Sequence, residues 1–394
     1  MISERFSMRG DALVVALFGR LDATNADEVE QRVKAAIQDH GGALLVLDLE
    51  NLNYVSSVGL RVILRLAKQT GQLAIENASS MVYEVLEMTG FTDMFEVRKA
   101  FRRVSVKGCP VIGRGNKGAV YRLDPETIVK VVFDTGDEAL ADITRERELA
   151  RTAFVAGIPT AISYDVVRVD DRYGAVYELL NASTLADLVA SGTWPVERAG
   201  VALADIMAQM HETHMRTDVM PSARDIQLGE LTALDGRIDD GLYQRINALV
   251  AGLADDDLLI HGDYHAGNVM VQNDEPLLID MDTIAHGNPV LELGPVYNAY
   301  VGFGEIDHEV TEKYMGFSYQ TGVDLWQAMA ARYAQARGLD PDDVLCKAEF
   351  MGRMRQVRRV VAHDQQDTSH GRLVMDLCLG RLAELLDQIE TLDL

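Results

Sequence analysis

The chain has 394 residues, more than one ordinary single-core domain holds, and at roughly 100–200 residues per domain this length predicts two or three domains. It is 48% hydrophobic and 25% charged, the composition of a folded chain, and no apolar run approaches the ~18–20 residues that span a bilayer. The 37 Lys+Arg against 61 Asp+Glu leave a net charge of −24, which argues against nucleic acid and anionic membrane surfaces as partners and favours neutral or cationic ones.

The first residues, 1–7, carry no apolar segment behind their charges, so no secretory signal is expected. Strand-like and helix-like patterns then alternate. Residues 12–18 read as a strand ending at Gly19, and 25–38 as a helix with Ala26, Val29, Val33, Ala36 and Ile37 on one face. The continuous apolar run 43–49 predicts a strand buried on both faces. A helix over 57–69, a strand over 72–76, a helix over 81–88 and a short strand over 95–97 complete a small α/β domain, residues 1–105. This part holds 12 Lys+Arg and 14 Asp+Glu, a balance of −2, so −22 falls on the rest.

The second part, residues 106–394, opens differently. Gly113, Gly115 and Gly118 lie between two strand-like runs within 110–123. A dinucleotide-binding glycine loop would lead into a helix, whereas here Ala119-Val120-Tyr121-Arg122-Leu123 continues as a strand. A strand on each side makes a hairpin lid over phosphates, with an ordinary glycine-rich turn as the alternative. Lys130 sits inside the apolar strand 127–133. Burying an ammonium group costs several kcal/mol unless it is paired, so a lysine that reaches nucleotide phosphates and is held by a helix glutamate explains it better than a solvent-facing one. Glu146 and Glu148, on the helix expected over 138–156, are candidates; the spacing to Gly157 favours Glu146. A strand over 173–180 follows, and from 182 the pattern is mainly helical, including an acidic helical insertion over 215–257.

The block 258–283 interrupts the helices and carries the chemistry. His261-Gly262-Asp263 follows an apolar run, Asn268 comes five residues after Asp263, and Asp280 with Asp282 stands twelve residues beyond Asn268. Phosphoryl transfer needs a carboxylate at the attacking hydroxyl and oxygen ligands for Mg²⁺, and Asp263, Asn268 and Asp280 supply them in that order. His261 is expected to brace the loop. A metallohydrolase built on His261, Asp263 and His265 is the rival reading, but it leaves Asn268, Asp280, Lys130 and the glycine loop without roles. The three cysteines, Cys109, Cys346 and Cys378, stand far apart without CxxC and are expected to be buried free thiols of a cytoplasmic protein.

On the glycine loop, Lys130, Glu146, His261-Gly262-Asp263 with Asn268, and Ile279-Asp280-Met281-Asp282, residues 106–394 resemble the aminoglycoside phosphotransferase and choline kinase family of protein-kinase-like enzymes. The resemblance implies a bilobal α+β fold (N-lobe 106–180, C-lobe 181–394), ATP or GTP as donor, two Mg²⁺ ions and a hydroxylated small-molecule acceptor. It implies Asp263 as the catalytic carboxylate, with Asn268 and Asp280 as metal ligands and Asp282 beside them. Gly113, Gly115, Gly118, Lys130 and Glu146 would serve the nucleotide, with Glu178 and Leu180 at a lobe hinge where backbone groups bind adenine. No catalytic position departs from the family pattern.

Ser56 and Ser57 fall at the start of a predicted helix, where a serine can cap the helix or carry a phosphate. On Gly19-Arg20-Leu21-Asp22, the strand run 47–52 and Ser57-Val58-Gly59-Leu60, residues 1–105 resemble the STAS domain of anti-sigma factor antagonists. That family implies phosphorylation at Ser57 by a partner kinase and a protein partner, although Ser56 replaces its usual aspartate and Val58 a common second serine. The two resemblances together imply a small-molecule kinase with a STAS-like regulatory or docking module. The alternative is a regulatory kinase acting on protein serine, Ser57 included. The acid surplus of the second part favours an amine-bearing acceptor.

Overall fold

The computed structural model describes residues 2–40, 44–115, 117–161, 163–180 and 182–394, with the backbone alone for Asp137. Ala43 of the apolar run and Asn116 of the glycine loop lie outside the described residues. The chain divides into two compact units, Met1–Val104 and Ser105–Leu394.

The first unit is a five-stranded sheet with strands in sequence order: β1 (Ser3–Arg9), β2 (Ala12–Leu21), β3 (Leu44–Val55), β4 (Leu73–Ala78) and β5 (Glu96–Lys99). β1 pairs antiparallel with β2, and the remaining neighbours are parallel. Parallel neighbours require crossovers, and α1 (Ala26–Asp39), α2 (Ser57–Thr70) and α3 (Ser80–Met88) supply them. Leu45, Leu47 and Leu49 of β3 meet Val15 and Leu17 of β2, Val33 of α1, and Ile63 and Leu66 of α2 in one core. β1 has no sequence signature because six of its seven residues are exposed. α2 starts where Ser56 Oγ accepts the Gly59 N–H, and it ends at Gly71 in the left-handed conformation. Gly59 is required: a Cβ there would stand 2.9 Å from the Leu21 carbonyl oxygen.

The second unit opens with β6 (Val111–Arg114), β7 (Gly118–Arg122), β8 (Thr127–Val132), β9 (Ser163–Val169) and β10 (Arg172–Glu178). They pair antiparallel in the order β9-β10-β8-β7-β6, with α4 (Asp137–Val155) between β8 and β9 in sequence. β9, with Asp165 and Arg168 in it, is a strand the apolar pattern does not announce. A helical part follows, in which α5 (Val196–Met210) packs on α7 (Tyr319–Arg337), and α6 (Val290–Tyr297) on α8 (Pro341–Ala362). The acidic stretch 215–257 holds two helices, Ala223–Leu231 and Asp240–Ala251, whose Leu231, Ile246 and Val250 join the core of this unit. The cysteines are free, but only Cys378 is buried. Cys109 and Cys346 are partly exposed, which corrects the expectation of three buried thiols: Cys109 lies in the largely exposed loop 105–110, and Cys346 stands at the edge of the buried face of α8.

Candidate active site

β6 and β7 form the hairpin that carries the glycines. The Gly115 N–H donates to the Gly118 carbonyl at 3.0 Å and closes the turn. Of the three glycines, Gly118 alone is demanded by a close approach: a Cβ there would lie 2.5 Å from the Val131 carbonyl oxygen. Gly113 and Gly115 have room for a side chain. Beside this hairpin, Lys130 projects from β8, paired across the sheet with Val120 and Ala175. Its Nζ lies 2.9 Å from Glu146 Oε1 on α4 and 2.7 Å from Asp280 Oδ1. Burial pulls the ammonium down, but the two carboxylates outweigh it and hold it above the ordinary lysine range. Burial pushes Glu146 up despite the lysine, whereas for the more exposed Asp280 the lysine prevails over burial and lowers it. Tyr177, which sequence patterning does not single out, donates its hydroxyl to the same Glu146 oxygen at 3.3 Å.

The twelve-residue spacing of Asn268 and Asp280 is the length of a hairpin. β11 (Val269–Gln272) and β12 (Glu275–Leu278) are joined by Asn273 and Asp274, both at positive φ, as a two-residue type I′ turn requires. The ladder brings Val269 opposite Leu278, and the Ile279 N–H donates to the Asn268 carbonyl at 3.0 Å. Asn268 and Asp280 therefore stand side by side at the open end. Asp280 itself takes a left-handed conformation, φ 60, a region that aspartate and asparagine enter more readily than other side chains. Asn268 Nδ2 donates to the Asp263 carbonyl at 2.9 Å and lies 3.4 Å from Asp263 Oδ2. This commits the amide nitrogen to the loop and leaves the amide oxygen as the end that could take a metal ion. The Asn268 amide oxygen and the Asp280 carboxylate are hard oxygen donors, the kind Mg²⁺ takes, and are the residues that could hold it. Asp282 Oδ2 meets Lys117 Nζ of the glycine hairpin at 3.3 Å.

The loop bearing Asp263 is held from behind. His261 Nε2 donates to the Ile279 carbonyl at 3.2 Å, and its Nδ1 faces the Asp263 N–H at 3.4 Å, so both ring nitrogens serve the loop. Thr283 Oγ1 donates to the His261 carbonyl at 2.8 Å. Glu292, fully buried on α6, accepts the His261 N–H at 2.5 Å and the Gly262 N–H at 3.0 Å. Burial pushes its carboxyl up to about 7, against the pull of those backbone donors. The Tyr300 hydroxyl accepts the Ala266 N–H at 2.8 Å. Thr283 and Tyr300 are not legible as site residues, because nothing local marks them, whereas the sequence Glu292-Leu293-Gly294-Pro295 reads as a segment packed behind this loop in a structural role, and Glu292 packs there through these hydrogen bonds. Glu178 ends β10 and Leu180 lies just past it, where the Leu179 N–H donates to the Glu126 carbonyl. Among the described residues, no side-chain hydrogen bond ties either to the Lys130 cluster.

In the first unit the two serines part company. Ser56 is the cap, while Ser57 is the first helical residue and exposed, its carbonyl accepting from Arg61 Nε at 3.1 Å.

A family model described as phosphotransferase enzyme family (APH) matches residues 109–331, and a STAS domain model matches residues 6–105. A candidate anti-sigma factor antagonist of Bordetella bronchiseptica, BtrV, is 39% identical over 89 residues, 22% of this chain and 76% of its own. An anti-sigma F factor antagonist of Paenibacillus polymyxa is 37% identical over 82 residues, 20% of this chain and 70% of its own. A solved ternary complex of APH(2")-IIa with streptomycin and ATP is 15% identical, covers 77% of this chain and 97% of its own, and superposes with a TM-score of 0.46. Among the described residues no helix is long and apolar enough to cross a membrane. The chain thus belongs to the phosphotransferase enzyme family and carries a STAS domain at its N-terminal end.

Proposed function

We propose that residues 106–394 transfer the γ-phosphoryl group of ATP, with GTP as the alternative donor, to a hydroxyl of a small amine-bearing molecule of aminoglycoside-like or choline-like chemistry. In this reading residues 106–180 form the N-lobe and 181–394 the C-lobe, with Glu178 and Leu180 offering backbone groups to the purine. The observation that carries the reading is the convergence of Lys130, Glu146 and Asp280, with Asp263 and Asn268 on the adjoining loop. Lys130, held by Glu146, grips the phosphates under the hairpin of Gly113, Gly115 and Gly118. Asp263 orients the acceptor hydroxyl and takes its proton as the new O–P bond forms and the bond to ADP breaks. Asn268 and Asp280 would hold Mg²⁺, which supplies charge neutralisation on the phosphates. His261 keeps the loop in place, and Asp282 keeps the hairpin near it through Lys117.

The balance of −22 on this part gives a cationic acceptor a favourable field and an anionic one an opposing field. The test is ADP release by the full chain with MgATP across a panel of aminoglycosides, amino alcohols and neutral sugars, with mass spectrometry of the product. A gain of one phosphate on an amine-bearing hydroxyl compound is expected; turnover confined to neutral sugars would contradict the amine preference.

One observation favours a second reading alongside this one. Ser57 is exposed at the first position of α2, and Ser56 already caps the helix, so a phosphate on Ser57 would meet the free N–H groups of that turn. The STAS domain would then be a phosphoswitch for a protein partner. Incubation of the full chain with MgATP and peptide mapping should find phosphate at Ser57. An unmodified Ser57 would remove self-phosphorylation from the account.

A further inference from the structure

His265 stands two residues after Asp263 and has no role in the scheme above. Its ring is largely buried, with the side chain 23% exposed. The Gly267 N–H donates to Nδ1 at 3.1 Å, which makes Nδ1 an acceptor. A Cβ on Gly267 would lie 3.0 Å from both Cε1 and Nδ1, so the ring lies close over a residue that has no side chain to displace it. An imidazole whose Nδ1 accepts is neutral and carries its proton on Nε2. Burial acts in the same direction and lowers the pKa of the ring. That Nε2 lies 3.8 Å from Asp263 Oδ2, the oxygen that Asn268 Nδ2 approaches at 3.4 Å. Two N–H donors therefore flank one oxygen of the catalytic carboxylate. The amide contact is a long hydrogen bond and the imidazole separation exceeds a formed one, as such contacts often do before a substrate closes the site.

We propose that His265 is a positioning residue: its Nε2–H, fixed by the Gly267 backbone, holds Asp263 Oδ2 so that Oδ1 is presented to the acceptor hydroxyl. This rests on the reading of Asp263 as the base. It also excludes a relay role for the imidazole, because the one lone pair that could take the proton is already spent on Gly267.

Two amides separate the halves of the ring. Asn at 265 can place an acceptor where Nδ1 lies but does not reach Asp263, whereas Gln can place a donor near Nε2 but does not satisfy Gly267. With the full chain, MgATP and water as acceptor, His265→Asn is expected to lose ~10²-fold in kcat at unchanged KM for MgATP, and His265→Gln to recover most of that rate. Wild-type kcat in His265→Asn, or equal losses in both variants, would overturn the proposal. Wild-type rate in Asp263→Asn would instead overturn the reading of Asp263 as base. The ¹⁵N spectrum of the His265 ring decides the proposal even where water proves no acceptor. A protonated Nε2 whose signal moves on Asp263→Asn is expected; a protonated Nδ1, or an Nε2 blind to Asp263→Asn, would overturn it.

Discussion

Glu292 and Glu30 are both buried carboxylates, and their surroundings send them in opposite directions. Glu292 faces backbone N–H groups and, among the described residues, has no cation as a hydrogen-bond partner, so burial raises it. Removing its oxygens strands two buried donors, at ~1–3 kcal/mol each. Glu292→Ala should therefore lower the unfolding free energy by ~2–6 kcal/mol and depress kcat more than KM, while Glu292→Gln, which keeps an acceptor, should retain much of both; denaturant titration and ADP release check this. Glu30 in the first unit accepts from Arg65 Nε, shared between its two oxygens at 2.9 Å, and from Arg65 Nη2 at 2.5 Å, with an ion pair to Lys34 at 2.6 Å, and the Arg65 contact leads in lowering it to about 2. A depressed acid stabilises the fold fully above its ordinary value of 4.5, and that contribution is lost as pH falls toward 2. The shift corresponds to ~3 kcal/mol at most, and solvent at the half-exposed Arg65 reduces it to ~1–2 kcal/mol. The stability gap between the wild type and Glu30→Gln should be full at pH 7 and close in acid; a gap that widens in acid would contradict the assignment.

Elements explain why some of this was legible in the sequence. Lys130 stands out because an ammonium interrupts an apolar strand, and Asn268 with Asp280 because their spacing is one hairpin long. Asp263 is marked by the loop that breaks an apolar run. Tyr300 binds that loop from 34 residues away, and no periodicity encodes such a contact. β1 escapes for the opposite reason: it buries too little to show alternation. The glycine pattern also says less than the structure does. Three glycines look equivalent in sequence, yet only at Gly118 does a carbonyl occupy the place of a Cβ. Gly118→Ala should displace β7 from β8 and weaken MgATP binding ~10-fold or more, while Gly115→Ala should leave it within about threefold, as titration calorimetry would show.

At the scale of the whole molecule, two hydrophobic cores are closed within separate units, one from Leu13 to Phe91 and one from Leu149 to Leu392. The −24 of the chain is likewise unequal, with −22 on the phosphotransferase part. An acceptor drawn by that field should show a KM that rises with salt, since exposed charges are screened beyond ~10 Å at 0.1 M. A KM that is flat between 0.05 and ~0.5 M salt would assign the acidity to solubility instead. The central claim is that Asp263 acts on the acceptor hydroxyl while other residues hold the nucleotide, and one comparison tests it most directly. MgATP affinity and acceptor-dependent ADP release are measured on the full chain and on Asp263→Asn. The account predicts unchanged affinity and a ~10²–10⁴-fold loss of turnover. Equal turnover by the two proteins would contradict it.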